Sequence, residues 1–147
     1  MTGAAKINGT GNVLNNLLAG NGNANILNGG AGSDTLTGGL GADKFKFNIE
    51  SETGITVTTR DIIVDFNQAE GDKIDLLAID ANTALGNNAF STPTVGGAFS
   101  GVFANPGDLY FDQTAHILYG NNNKDSAADF SIQLTGLKSL VVTDLVL

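Results

Sequence analysis

From residue 11 to residue 46 a glycine opens every ninth position, and this period constrains the fold more than any other feature of the chain. The units begin at Gly11, Gly20, Gly29 and Gly38; their sixth places hold Asn16, Asn25, Asp34 and Asp43, and their eighth places Leu18, Leu27, Leu36 and Phe45. The first six places are rich in Gly and Asn, which accept positive φ at least steric cost, so each unit should open with a tight turn. A three-residue strand should follow, with the eighth-place side chain pointing inward and its neighbours outward. Two units then make one coil, each turn lies beside the turn two units on, and sixth-place oxygens meet: Asn16 with Asp34, Asn25 with Asp43. A flexible Gly/Asn linker has no reason to keep Leu, Leu, Leu and Phe in strict phase.

Carboxylates do not stack in register without a counter-charge. Carboxylate oxygens together with the carbonyls of a glycine-rich turn are the hard ligands of which Ca2+ takes six to eight. The units starting at Gly29 and Gly38 match the Gly-Gly-x-Gly-x-Asp-x-apolar-x calcium-binding repeat of RTX proteins in every defining place. The first two units carry Asn at the sixth place and lack the Gly-Gly-x-Gly set, so an ion there should be weaker or absent.

Composition narrows the partners. Fifteen acidic against seven basic residues in 147 give a formal charge of −8, which disfavours nucleic acid and anionic membranes and favours cations. No apolar run is long enough for membrane insertion. Cysteine is absent, which removes disulfides and thiolate metal sites, so something else must hold a small extracellular chain together. Residues 1–10 read as a frayed lead-in, with Ile7 and Gly9-Thr10 as a partial repeat and no apolar segment of the kind that makes an N-terminal secretion signal.

After Lys46 the periodicity stops, yet Glu52 and Asp61 fall nine and eighteen residues beyond Asp43, in phase to supply closing ligands for the last turns. The rest reads as β: strands at 61–66 and 73–77 around a polar turn, room for one short helix within 79–90, and a Pro/Gly loop near 93–97. A hairpin follows, with Leu109-Tyr-Phe111 and Ile117-Leu-Tyr119 about residues 112–115, then an alternating strand Phe130–Leu134 and an apolar end at 140–147. The expected architecture is all-β and single-domain: a parallel β-roll over 11–47, then an antiparallel, β-sandwich-like cap over 48–147.

Several segments carry a family resemblance. They are the two full nonapeptides, Asp43-Lys-Phe-Lys-Phe47, Arg60-Asp-Ile-Ile-Val-Asp-Phe66, Gly71-Asp-Lys-Ile-Asp-Leu76, Gly107-Asp-Leu-Tyr-Phe-Asp112, Ala128-Asp-Phe-Ser-Ile-Gln-Leu134 and Thr143-Asp-Leu-Val-Leu147. In these the chain resembles, nearly end to end, the C-terminal region of serralysin-type secreted metalloproteases and related RTX exoproteins. The resemblance implies Ca2+ held between neighbouring turns. Carried over by position, Gly29, Gly30, Ala31, Gly32, Gly38, Gly39, Leu40 and Gly41 offer backbone carbonyls, and Asp34 and Asp43 are side-chain ligands. Glu52 falls where the family has a closing acid, usually Asp, and Asp61 and Asp72 fall on the family's last calcium positions. Asp65 and Asp75 read instead as turn or strand-edge residues. The loop Gly120-Asn-Asn-Asn-Lys-Asp125 stands where relatives carry an Asp-rich loop; its lost acids and Lys124 argue against Ca2+ there.

The resemblance also implies export through a bacterial type I ABC transporter, read from an uncleaved signal at the extreme C-terminus, which Asp144 followed by Leu145, Val146 and Leu147 resembles. A secreted, extracellular, monomeric module is expected. With Ca2+ scarce, crowded carboxylates repel and a glycine-rich coil has too little core to offset its chain entropy, so the roll should stay unfolded until it meets Ca2+ outside.

Rival functions stay open. An enzyme is disfavoured: there is no His-Glu-x-x-His and no Gly-x-Ser-x-Gly, and His116 is the single histidine. A carbohydrate-binding module is the alternative, since similar rolls accompany alginate epimerases. A polyanionic sugar needs a basic stripe, and of Lys6, Lys44, Lys46, Arg60, Lys73, Lys124 and Lys138 only Lys44, Lys46 and Arg60 are placed to gather. The tail of a surface adhesin is a third possibility.

Overall fold

Three-residue strands recur at the nonapeptide spacing: β2 (Leu17–Ala19), β3 (Ile26–Asn28), β4 (Thr35–Thr37) and β5 (Lys44–Lys46), preceded by the two-residue β1 (Gly9–Thr10). The computed structural model describes residues 5–147; of the lead-in expected over 1–10, residues 1–4 lie outside the described residues. Alternate strands enter alternate sheets. β2 pairs in parallel with β4, setting Leu18 on Leu36, and β3 pairs in parallel with β5, setting Leu27 on Phe45. The eighth-place side chains therefore form two inward ladders, with Leu27, Leu36 and Phe45 fully buried. Each such burial contributes about 1.5–3 kcal/mol.

The ladders continue past the repeats. β6 (Asp61–Ile63) adds to β4 with Ile63 on Leu36, and β7 (Lys73–Asp75) adds to β5 with Ile74 on Phe45, both in parallel. Three further strands, β8 (Thr94–Gly96), β9 (Leu109–Asp112) and β10 (Ile117–Gly120), build the far side. β11 (Phe130–Leu134) then lays Leu134 on Ile63, and β12 (Leu145–Val146) lays Leu145 on Ile74. The result is a five-stranded sheet in the order β1-β3-β5-β7-β12 and a seven-stranded sheet in the order β2-β4-β6-β11-β10-β9-β8.

The structure departs from the expected roll-plus-antiparallel-cap division. Antiparallel pairing is confined to β9–β10 and β10–β11, whereas β6, β7, β11 and β12 prolong the roll's own sheets in parallel. The physical reason is shared phase: Ile63, Ile74, Leu134 and Leu145 present an apolar side chain where the eighth place would.

No α-helix forms at 79–90, or anywhere among the described residues; only short 3-10 turns occur, at Glu50–Glu52 and Val142–Asp144. Local side-chain bonds outcompete the helix in 79–90. Asp80 Oδ1 accepts the Asn82 and Asn88 N–H groups at 3.0 Å each, and Asn82 Oδ1 accepts that of Ala84 at 3.2 Å. Strand β8 escapes the sequence reading because Pro93 and Gly96-Gly97 signal a loop. It lies last in its sheet, where flanking breakers cost no internal ladder bonds.

Candidate metal centre

Each sixth-place residue stands where a turn enters a strand, and its backbone N–H points along the roll toward the next turn. On one edge Asp34 Oδ1 accepts the N–H of Asn16 at 2.6 Å, and Asp61 Oδ1 accepts the N–H of Asp34 at 2.8 Å. On the opposite edge Asp43 Oδ1 accepts the N–H of Asn25 at 2.7 Å, and Asp72 Oδ1 accepts the N–H of Asp43 at 2.8 Å. Two ladders of carboxylates result.

The second oxygens behave differently. Oδ2 of Asp34, Asp43 and Asp61 is buried without a hydrogen-bond partner, whereas Oδ2 of Asp72 accepts the Asn67 N–H at 2.8 Å. A buried acceptor left unmatched is costly, and a carboxylate more so. Two of these orphaned oxygens lie against the glycine that opens their own unit: a Cβ on Gly29 would come within 2.1 Å of Asp34 Oδ2, and one on Gly38 within 2.3 Å of Asp43 Oδ2. The second glycines sit directly over carbonyls of the turn beneath. Gly30 (φ 87°) faces the Asn12 carbonyl oxygen and Gly39 (φ 97°) that of Asn21, with a Cβ predicted at 2.6 and 2.4 Å respectively. Each edge is thus carboxylate-rich, carbonyl-lined and closed to side chains.

Charge is frustrated at these places. Burial foremost, with the neighbouring charges of Asp34 and Glu52, pushes the Asp61 carboxyl up to about 8 against the opposing bond from the Asp34 N–H. Burial foremost, with Asp72, Asp65 and Glu70, pushes Asp43 up to about 6 against the bond from the Asn25 N–H. Asp34 and Asp72 are also raised, burial again being the main cause. A cation between the turns would remove this penalty.

The sequence candidates fall into place unevenly. Glu52 joins the Asp34–Asp61 edge electrostatically, but its carboxylate already accepts from Asn48 N–H at 2.8 Å, Asn28 Nδ2 at 3.1 Å and Asn48 Nδ2 at 3.2 Å. Asp61 does not continue the Asp43 edge as its phase suggests; it lies next to Asp34, 27 residues earlier. The excursion through the 3-10 turn and residues 53–60 inserts half a coil and moves it to the other edge. Asp72 takes the place beside Asp43 at a spacing of 29. Asn16 and Asn25 each use Oδ1 to accept an N–H of their own turn, from Asn12 and Asn21, at 2.7 Å, so the first two turns close through a neutral amide.

Asp65, read from the sequence as a turn or strand-edge residue, holds a turn of the roll. Its Oδ1 and Oδ2 accept the Gly38 and Gly39 N–H groups at 2.8 and 2.9 Å, clamping the opening of the fourth unit. The signal was present, since Asp65 follows Gly38 by the same 27 residues that separate Asp61 from Asp34. Asp75 lies in β7, 3.4 Å from Lys44 Nζ, an exposed-partner pair worth about 0–1 kcal/mol.

The basic residues gather differently from expectation. Lys44 and Lys46 share the outer face of their sheet with Lys73, which stands directly beside Lys44. Arg60 is elsewhere, its guanidinium held by the carbonyls of Thr56 and Ile55, because it precedes β6 in the other sheet. In the loop after β10, Asn122 N–H and Asn123 Nδ2 occupy the two carboxylate oxygens of Asp129 at 2.7 and 2.6 Å. His116 occupies the β9–β10 turn at φ 58°, with Nδ1 2.6 Å from the Leu137 carbonyl oxygen.

Among the described residues no three His, Cys, Asp or Glu side chains converge closely enough to hold an ion by themselves. Any ion here would need backbone carbonyls as well, and the carbonyl oxygens of Asn12 and Asn21 lie against Gly30 and Gly39 of the turns above. All-oxygen donors, orphaned carboxylate oxygens and carbonyl-lined turns fit Ca2+, not a softer metal.

Residues 1–147 match the family model described as Peptidase M10 serralysin C terminal. No curated protein matches the chain. The solution structure of the AlgE6R3 subunit of mannuronan C5-epimerase from Azotobacter vinelandii is similar with a TM-score of 0.53 at 23% identity, over 97% of this chain and 75% of that one. The AlgE6R2 subunit of the same enzyme gives a TM-score of 0.53 at 23% identity, over 99% of this chain and 94% of that one. These two likenesses bear on the fold.

Proposed function

Because the chain belongs to the family of serralysin-type M10 peptidase C-terminal domains, we propose that it is a calcium-dependent folding and export module of a bacterial exoprotein, with no catalytic groups of its own. The observation that supports this reading is the trio of buried, partnerless oxygens on Asp34, Asp43 and Asp61. When bound, Ca2+ supplies the positive charge and the oxygen coordination that these groups lack. Asp34 and Asp61, within the field of Glu52, would hold it on one edge, and Asp43 and Asp72 on the other. Carbonyls of Gly29, Gly30, Ala31, Gly32, Gly38, Gly39, Leu40 and Gly41 would complete the shells. Calorimetric titration is expected to give Ca2+ binding that equimolar Mg2+ does not displace, because Mg2+ keeps its waters and demands a tighter octahedron. A flat Ca2+ isotherm rejects the reading.

Export enters through the C-terminus. In the folded chain Asp144 is buried, its Oδ2 accepting the Val141 N–H at 2.8 Å and the Gln68 amide, and Leu145 packs in the core. A transporter that reads this end therefore acts on the unfolded chain. Deleting residues 144–147 is expected to abolish secretion of a fused passenger from cells carrying a type I apparatus; undiminished secretion rejects the export role.

The lysine face favours a second reading. In a chain of charge −8, Lys44, Lys46 and Lys73 stand together on one sheet face with Asp75 beside Lys46 and 3.4 Å from Lys44 Nζ, a net positive strip that a polyanionic saccharide would suit. Oligouronates are then expected to shift the amide signals of β5 and β7, and the triple substitution K44A/K46A/K73A to abolish the shifts. Unmoved signals in the unsubstituted chain remove this alternative.

A further inference from the structure

The Asp34–Asp61 ladder needs an end. Each sixth-place N–H is accepted by the next acid along the edge, and Asp61 is the last acid, so its own N–H has no carboxylate to meet. It is accepted instead by Thr53 Oγ1 at 2.8 Å, and the same hydroxyl donates to the Ser131 carbonyl at 2.7 Å. A second link lies beside it, from Ser131 Oγ to the Gly54 carbonyl at 2.9 Å. Thr53 is 1% and Ser131 0% exposed. The opposite edge ends otherwise: the Asp72 N–H returns to the Asn67 carbonyl at 3.3 Å within its own turn.

We propose that Thr53 is a positioning residue of the Asp34–Glu52–Asp61 edge, its hydroxyl closing the carboxylate ladder and fastening that edge to β11. The inference rests on the calcium reading above. The chemistry singles out a hydroxyl. Another carboxylate here would add a fourth acidic group to Asp34, Glu52 and Asp61, while an aliphatic side chain would take from the buried Asp61 N–H its hydroxyl acceptor and from the Ser131 carbonyl its hydroxyl donor. Only a group that accepts and donates at once satisfies both. The bond to Ser131 spans 78 residues of chain, so the edge that carries two orphaned oxygens is held by the far part of the fold. The edge with one is closed locally.

The test is a Ca2+ titration of the full chain followed by amide NMR signals, with residues 29–34 reporting one edge and residues 38–43 the other. Thr53→Val is expected to raise the Ca2+ midpoint of the first edge about tenfold, as the loss of two buried hydrogen bonds implies, and to leave the second unchanged. Thr53→Ser is expected to restore the first midpoint. Midpoints that move together in Thr53→Val, an indifferent Thr53→Val, or a Thr53→Ser that fails to restore overturns the proposal. Should Thr53→Val not fold in saturating Ca2+, Ser131→Ala removes only the link to Gly54. It is expected to raise the first midpoint alone, about threefold, as loss of one weaker hydrogen bond implies; equal or absent effects on the two edges overturn the proposal. A natural chain whose signals ignore Ca2+ overturns the calcium reading itself, a result distinct from any of these.

Discussion

Stripping Ca2+ from the protein is expected to collapse its β-signal in circular dichroism and to broaden its amide NMR spectrum, with readdition restoring both. A site held at about 100 times its dissociation constant contributes roughly 2.7 kcal/mol, and a domain of this size is stable by about 5–15 kcal/mol in all, so two to four ions decide whether the roll folds. Without the ion, the orphaned oxygens of Asp34, Asp43 and Asp61 have no hydrogen-bond partner in the fold, Asp61 facing the charges of Asp34 and Glu52 and Asp43 those of Asp72, Asp65 and Glu70. Protons should partly replace it. In the fold the Asp61 carboxyl is raised from 3.8 to about 8 and that of Asp43 to about 6, so the folded state binds protons that the unfolded state has released. Their stabilisation is complete below pH 4 and is lost as pH rises through 6 and then 8. Calcium-depleted protein is therefore expected to gain β-signal when taken from pH 8.5 to pH 5. Ca2+ affinity should move oppositely, weakening as pH falls, since ligands must be deprotonated to bind. A fold indifferent both to chelation and to this pH change contradicts the account.

Gly39→Val is expected to be among the most damaging single substitutions in the repeats. The position sits at φ 97°, and its new Cβ would meet the Asn21 carbonyl oxygen at 2.4 Å. That neighbour is backbone of the turn below and cannot step aside without opening the stack. Left-handed strain of about 1–2 kcal/mol for a residue with a Cβ adds to the overlap, and the total should exceed about 4 kcal/mol, the range reserved for broken cores and strained backbones. Gly22→Ala is the matched control: nothing lies within 4 Å of its Cβ position, so its melting temperature should hardly change. Equal melting temperatures for the two variants in saturating Ca2+ would contradict the close stacking of the turns.

The repeats were legible because they state their own geometry. A glycine opening each unit, an oxygen donor at the sixth place and one apolar side chain at the eighth specify turn, ligand and core in nine residues, and the register of Leu18 on Leu36 and Leu27 on Phe45 follows. The parts that misled the reading are those where an offset is not a multiple of eighteen. Counting from Asp43 puts Asp61 on the Asp43 edge, but the chain between residues 53 and 60 leaves the coil and returns on the other edge beside Asp34. Asp65 reads as a turn or strand-edge residue, and only the fold shows which turn it holds, since its partners Gly38 and Gly39 lie in another unit. Residues 79–90 looked able to form a helix because the competing bonds of Asp80 reach as far as Asn88, beyond any local pattern.

The sequence by itself determined the strand spacing, the inward ladder, the acidic edges and the kind of ion they suit, because each is set within one nonapeptide and copied. Tertiary structure alone decided which acids face each other, which of their oxygens stay unpaired, and how the last acid is tied to β11 through Thr53. Those outcomes depend on where a non-repeating excursion lets the chain re-enter the stack, and nothing in the residues of the excursion marks that point until the buried side chains on both sides have packed.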